Sequence, residues 1–337
     1  ELALSYAPLQ PRLVYNVFIL FAPACGARLG RTLMLKVTLL GTGGMMPLKT
    51  RALASAMLSS EGRSLLIDCG EGTQVQIREC GLTFKPIDGL LITHFHGDHV
   101  SGLPGLLLSM GNQGREAPLT IAGPLGVKRV VDCLRVIAPG LPFAIEFEEI
   151  DPAAPHAFKC AGLDIEPFAL KHGMPCLGYA VSLKRAGRFM PERAKELGVP
   201  LKLWSVLQRQ PSAELDGRVY TSDMVLTPPR RGISVVYATD TRPVPAIARM
   251  ANDCDLLICE GMYGDPEKLP RAKEAGHMMM SEAARIAAEA RAHRMWFTHY
   301  SPAMPDPETW LDSVRAIFPA AELGRDCMSI DLPFVGD

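Results

Sequence analysis

Residues 90–107 read LLITHFHGDHVSGLPGLL. Leu90 to Thr93 form an apolar, strand-like run, and His94, His96, Asp98 and His99 then fall within six positions. Ionisable groups at the end of a buried strand are costly to desolvate unless they are paired or bound to a metal. Histidines two apart on an extended segment face the same way, because side chains alternate along a strand. His94 and His96 can therefore grip one cation. Asp98 and His99 follow where the chain turns and can reach a second one. Imidazole and carboxylate donors suit zinc, and a site with an open position is the catalytic form.

Outward from this stretch the same pattern recurs. "LKVTLLGTGG", "SAMLSS", "RSLLIDCGEG", "LTIAGP", "FAIEFEEI", "LDIEPFALKH" and "GYAVSL" read as strands. So do "ISVVYATDT", "DCDLLICEG" and "RMWFTHY", each an apolar run ending in a polar or charged residue. "GTQVQIREC", "PGLLLSMG" and "GVKRVVDCLRVI" read as helices, and "SEAARIAAEARAH" is a further helix with Ser281 as its N-cap. Alternating β and α elements with ten or more strands imply sheet packed on sheet with helices outside.

A chain of 337 residues, 48% hydrophobic and 21% charged, can bury a large core without staples. The net charge of −1 excludes a global attraction to nucleic acid, so any polyanion must be held by a local patch. Nine cysteines with no CxxC pair argue for buried thiols and a reducing compartment rather than a disulfide framework. Residues 1–33 start with Glu1 and contain only a short apolar run, below the ~20 residues that a membrane span needs. They read as a non-native or disordered leader, and the domain as residues 34–337, opening at Met34. Residues 184–226 break the pattern. Within 184–218 eight basic residues face four acidic ones, a balance of +4, and an insertion of this length is functional or disordered.

Two metals need more donors than the first four. His172, His277 and His299 lie at strand or loop ends, and Asp240 ends "ISVVYATDT", where a carboxylate could bridge two cations ~3.5–4 Å apart. His156 and His293 read as solvent-facing or helix-capping.

The set "LGTGGMMPLKTR", "LLIDCGEGTQ", "ITHFHGDHVSGLPGLL", "LKHGMPCLGY", "TPPRRGISVVYATDTRP" and "FTHYSPAM" resembles the ribonuclease Z family of tRNA 3′-processing endonucleases, in the metallo-β-lactamase superfamily. The resemblance covers the chain from Met34 to its end. It implies an α/β (α+β) fold, a four-layer αββα sandwich with a protruding exosite arm, the 184–226 insertion. It implies two zinc ions per subunit, with manganese or iron as alternatives. One is held by His94, His96 and His172, the other by Asp98, His99 and His299, with Asp240 bridging. Asp68 would orient site residues through hydrogen bonds. His277 would assist the leaving group, with Glu260 holding it. The small hydroxyl residues usual after that histidine are methionines here. Pro47, Lys49 and Arg51 resemble the loop that senses the tRNA 3′ end. Lys184, Arg185, Arg188 and Lys202 would grip RNA backbone, and Trp204 would either pack the arm or touch RNA.

The implied activity is removal of the 3′ trailer from precursor tRNA, leaving a 3′-hydroxyl and a 5′-phosphorylated trailer. Asp98 would accept a proton from the nucleophile and His277 would protonate the departing oxygen. The partners expected are precursor tRNA and a second copy of the chain, with no membrane, in the cytoplasm. The competing readings are a small-molecule phosphodiesterase or aryl sulfatase on the same fold, and a non-catalytic RNA-binding protein.

Overall fold

Apolar positions that alternate between two faces build the first half of the chain. The strands are β1 (Met34–Gly41), β2 (Ser55–Ser60), β3 (Arg63–Ile67), β4 (Ile87–Leu91), β5 (Leu119–Pro124) and β6 (Ile145–Ile150). They lie side by side in that order, antiparallel as far as β3 and parallel from β3 to β6. In β3, Leu65 and Ile67 face one way and Leu66 the other, and all three are fully buried. Helices α1 (Thr73–Glu79), α2 (Gly97–Val100), α3 (Leu103–Asn112) and α4 (Val127–Leu134) fall between these strands. Ile77, Leu103, Leu107 and Val131 from α1, α3 and α4 pack with Leu66 on the outer face.

A second sheet uses β7 (Phe158–Cys160), β8 (Leu163–Lys171) and β9 (Pro175–Arg185). The arm follows, with α5 (Pro191–Glu196), α6 (Leu201–Leu207), β10 (Ser212–Leu215) and β11 (Arg218–Thr221). The sheet resumes with β12 (Arg230–Ala238), β13 (Leu256–Glu260), β14 (Met295–Thr298) and β15 (Ala321–Leu323), and β16 (Ser329–Pro333) crosses back to pair with β1. The order is β15-β14-β13-β12-β9-β8-β7, parallel among β12 to β15 and antiparallel elsewhere. Val235 and Tyr237 point into the core between the sheets; Val236 and Ala238 point to the helices α7 (Pro245–Met250), α9 (Met280–Glu289) and α10 (Leu311–Arg315). α8 (Leu269–Ala275) precedes α9. The result is the four-layer α/β sandwich expected. β13 and β14 are buried at every position, which is why they read as unbroken apolar runs.

This computed structural model describes residues 34–335, which belong to one compact unit. The leader reading of 1–33 lies outside the described residues. No helix among them is long and apolar enough to cross a membrane.

Two expectations need correction. The helix over 280–289 is capped by Met279, not Ser281, which sits inside its first turn. The Glu282 carboxylate accepts the Met279 N–H at 3.0 Å, the half of a capping box that the third helical residue supplies. Cys69, Cys254 and Cys259 are buried free thiols, as expected, but Cys80 and Cys327 form a disulfide. They lie 247 residues apart, at the end of α1 and just before β16. Pairing depends on which positions the returning last strand brings within reach, and linear spacing does not contain that information.

The arm is ordered by its own interior. Ala194, Val199, Leu203, Leu207, Tyr220 and Val225 are buried together. Trp204 packs against Phe189, with ring centroids 5.1 Å apart, and donates Nε1–H to Val199 O at 2.9 Å. Its stalk is a pair of facing segments: Thr227 N–H donates to Arg188 O and Met190 N–H to Val225 O, both at 2.8 Å.

Candidate metal centre and active site

The carboxyl ends of the parallel strands meet at one edge of the sandwich, where open α/β sheets place ligands. Asp68 follows β3, residues 93–99 follow β4, Asp240 follows β12, and His299 follows β14. Glu260 is the last residue of β13, and His172 follows β8. Asp68, Asp240 and His299 adopt left-handed backbone angles, with φ of 60°, 54° and 56°. Such angles are uncommon outside glycine and turn each side chain sharply off its strand. Two glycines let the loops close up. A Cβ on Gly70 would meet Asp98 O at 2.1 Å, and one on Gly44 would meet the His299 ring at 2.6 Å.

β4 stops at Leu91, so His94 and His96 lie on an irregular extended segment rather than on the strand itself. Their nitrogens still converge. His94 Nε2 lies 2.9 Å from His96 Nδ1, which lies 3.2 Å from His172 Nε2. Asp240 Oδ2 completes this group, 3.8 Å from His94 Nε2 and 4.0 Å from His172 Nε2.

The other Asp240 oxygen faces a second group. Oδ1 lies 3.3 Å from His99 Nε2 and 3.2 Å from His299 Nε2, which are 3.3 Å from each other. Asp98 Oδ2 lies 3.5 Å and 3.4 Å from the same two nitrogens. Tetrahedral zinc with ~2.0–2.2 Å bonds separates neighbouring donors by roughly 3.3–3.6 Å. Asp240 Oδ1 is buried and receives no hydrogen bond, an arrangement that costs about 1–3 kcal/mol unless a cation supplies the partner. The donor sets fit a divalent-metal centre, with Asp240 common to both groups.

The ring orientations are held from behind. Fully buried Asp68 accepts His99 Nδ1–H at 2.9 Å through Oδ2 and Thr93 N–H at 2.8 Å through Oδ1. Thr93 Oγ1 donates to Asp68 Oδ2 at 2.9 Å and lies 3.0 Å from His94 Nδ1. A carboxylate behind a ligating histidine fixes its tautomer and raises its basicity. His172 Nδ1 donates to Gly276 O at 3.2 Å. His277 stands beside the centre, its Nδ1 2.9 Å from Glu260 Oε2 and 4.0 Å from Asp240 Oδ2. Thr241 N–H donates to the other Glu260 oxygen at 2.6 Å.

Burial pushes His94 down to about 2, helped by His99 and opposed by Asp240; it is the neutral ligand form. Burial also lowers His172. Burial would lower His99 too, but Asp240 and Asp68 outweigh it and hold the ring well above the ordinary histidine range. The field there favours one positive charge, as a proton on His99 or as a metal ion. Burial opposes charge on Asp98, yet hydrogen bonds from His299 and His99 bring it below the usual carboxylate range. For Asp240 the charges of His299, His99 and His94 overcome burial in the same direction. Burial lowers His277, but Glu260 more than offsets it, so the ring is held above the ordinary value.

All seven residues expected at the metals, with Asp68, Glu260 and His277, are therefore brought together. His156 and His293 lie outside the centre, paired with Glu148 at 2.6 Å and Asp253 at 3.0 Å. The substrate-loop residues are divided. Pro47 and Lys49 are exposed at a cleft shared with Glu71, Gln76 and Asp326. Arg51 instead donates to Met304 O and Pro305 O at 3.3 Å and lies over the Tyr300 ring, so it braces the loop. Lys184 pairs with Asp164 at 3.2 Å and Arg185 lies over the Phe334 ring. Both belong to the body near the stalk. Arg188 and Lys202 are exposed on the arm. Thr93 and the Met45 N–H, which donates to Asp98 Oδ2 at 2.7 Å, were not among the expected site groups. A hydroxyl ending an apolar strand was a usable signal for the first; a main-chain donor leaves none.

Comparison with known proteins bears on this geometry. A family model described as "Beta-lactamase superfamily domain" matches residues 196–300, and one described as "Anti-Pycsar protein Apyc1" matches 35–131. A protein named ribonuclease Z from Agathobacter rectalis is 51% identical over 304 residues, covering 90% of this chain and all of its own. The chain belongs to the ribonuclease Z family. The ribonuclease Z of Clostridium acetobutylicum is 44% identical, covering 87% of this chain and 96% of its own. Among solved structures, human tRNase Z, short form, superposes with a TM-score of 0.64 at 26% identity, over 89% of this chain and all of that one. The chain is a metal-dependent endoribonuclease of the metallo-β-lactamase fold, with a divalent-metal site built on the ribonuclease Z frame.

Proposed function

We propose that this protein removes the 3′ trailer from precursor tRNA with two zinc ions per subunit. The observation that carries the reading is Asp240, whose two oxygens face separate donor sets while the His277–Glu260 pair stands beside them. His94, His96 and His172 would hold one ion, Asp98, His99 and His299 the other, with Asp240 shared. Manganese, which favours oxygen donors, fits so many imidazoles less well than zinc, while iron accepts the same donor set. Bound there, divalent cations would bring water toward a neutral pKa and offset charge on phosphate oxygens.

The chain's own groups do the rest. Asp98, at the rim of the centre and held by the Met45 N–H, takes the proton of the attacking water. A new P–O bond forms as the bond to the ribose 3′ oxygen breaks in line. His277 delivers a proton to that oxygen, with Glu260 holding Nδ1–H so that Nε2 faces outward. The phosphate stays on the trailer, which leaves tRNA with a 3′-hydroxyl. Purified protein given a trailer-bearing precursor tests the reading. The expected result is one cut at the trailer junction, lost on chelation and restored by zinc; a cut elsewhere, or none, overturns it. The arm and the relatives' shared name disfavour a small-molecule hydrolase.

Pro47 and Lys49 would meet the tRNA 3′ end, and Arg188 and Lys202 the tRNA body, supported by their exposure beside the centre and on the arm. Arg51, Lys184 and Arg185 would add charge from behind. The arm of one subunit would serve the site of a second, because it is held together by an interior of its own. Replacing residues 189–226 with a short glycine link is expected to raise KM for precursor about 100-fold and to change hydrolysis of bis-p-nitrophenyl phosphate less than about threefold. Equal losses on both substrates, or sedimentation of the full chain as a lone subunit, would remove the respective claims. The proposed location is the cytoplasm, where precursor transcripts are processed; the Cys80–Cys327 bond stands against it. Alkylation of those thiols in freshly lysed cells is the check.

A further inference from the structure

The segment that carries His277 continues with three methionines, which offer no hydroxyl to anchor it, so its anchorage comes from elsewhere. Its main chain is tied by His277 N–H to Ala272 O and Met280 N–H to Tyr263 O, both at 2.8 Å. The third tie is a side chain. Arg242 Nη1 donates to the carbonyl oxygen of His277 itself and to Glu282 Oε2 at 2.9 Å, while Nη2 donates to Glu282 Oε1 at 2.5 Å. Glu282 Oε2 also accepts the Met279 N–H. Arg242 thus closes the segment on both sides of Met278, and the pair is largely buried, with 14% and 18% of the two side chains exposed.

The other end of Arg242 is equally fixed. Its N–H donates to Lys171 O at 2.9 Å, next to His172. Thr241, the residue before it, holds the Glu260 carboxylate through its N–H and accepts Lys171 N–H on Oγ1 at 2.9 Å. Adjacent residues therefore hold both handles of one histidine: Thr241 the carboxylate behind its ring, Arg242 its main chain. Three acceptors shared between two nitrogens suit a guanidinium fork, which an ammonium does not reproduce.

We propose that Arg242, clamped by Glu282, is a positioning residue that sets His277 for protonating the departing ribose oxygen. This rests on the reading of His277 as the leaving-group acid. Misplacing a reacting group by about 1 Å costs on the order of 100-fold. A p-nitrophenolate departs without protonation, so substrates with that leaving group are indifferent to the device.

The test uses the full metal-loaded enzyme. Arg242→Met is expected to lower kcat for trailer removal about 30- to 100-fold, with KM and metal content unchanged. Hydrolysis of bis-p-nitrophenyl phosphate should stay within about threefold of wild type. In a His277→Ala background, itself slowed with metal retained, Arg242→Met should cost nothing further. Equal losses on both substrates, loss of metal, or the same loss in the His277→Ala background would overturn the proposal. A second readout needs no RNA. The Nδ1–H resonance of His277, identified by its absence in His277→Ala, should be lost to solvent exchange in Arg242→Met; an unchanged resonance overturns the proposal. Glu282→Gln, which keeps side-chain volume, is expected to show the same pattern more weakly and replaces Arg242→Met should that variant fail to fold. If wild type does not cut the precursor, the functional reading fails, and the resonance still decides whether Arg242 sets His277.

Discussion

Asp98→Ala is expected to lower trailer removal at least ~10⁴-fold while the melting temperature stays within a few degrees of wild type. Two roles fall on one carboxylate. Its Oδ2 lies 3.5 Å and 3.4 Å from the nitrogens of His99 and His299, so it completes one donor set. In the proposed mechanism the same carboxylate takes the proton of the attacking water. Folding depends on it little, because the side chain sits at the rim and its partners are the Met45 N–H and two histidines of the metal centre, His99 and His299. Cleavage assays beside differential scanning calorimetry and metal analysis check this. Undiminished cleavage would sink the assigned role, and a collapsed melting temperature would show Asp98 to be structural.

Asp68→Asn is expected to slow cleavage about 10³- to 10⁴-fold without unfolding the protein, an effect of the size seen when the acid behind a catalytic histidine is amidated. The amide has nearly the same shape and can still accept from Thr93. Toward His99 it either offers a weaker acceptor or turns an N–H toward Nδ1, which favours the tautomer that puts a proton on Nε2, the atom facing the metal. Metal affinity should fall about 10- to 100-fold, the usual consequence of losing such a partner. Asp68→Ala should go further and cost on the order of 3 kcal/mol in stability, since Thr93 N–H and His99 would lose their buried partner. Zinc titration and chemical denaturation of both variants separate the effects. Full activity in Asp68→Asn would show that the tautomer is set elsewhere.

The sheets were legible because their residues alternate, or run unbroken where both faces are covered, as in "LLICE" and "MWFT". The metal set was legible because its seven ionisable groups follow the ends of β4, β8, β12 and β14, just past apolar stretches. Their common location was not a matter of local pattern: His94 and His96 converge through an irregular segment, and Asp68, Asp240 and His299 arrive by left-handed corners. Arg51 shows the limit of reading charge alone. A cation in a substrate loop implies a phosphate, yet its nearest acceptors are two carbonyls made available by the loop after His299. The Cys80–Cys327 pair escaped because it depends on a tertiary neighbour, and the Met279 cap because its tie is the Glu282 carboxylate three residues on and no hydroxyl marks the cap position.

The arm's private interior has an evolutionary corollary. A segment that folds on six buried residues of its own and plugs in through a short ladder can be acquired, traded or discarded in one genetic event. The hydrolytic body beneath would notice little, so a change of clientele for this scaffold needs a transplant rather than a redesign.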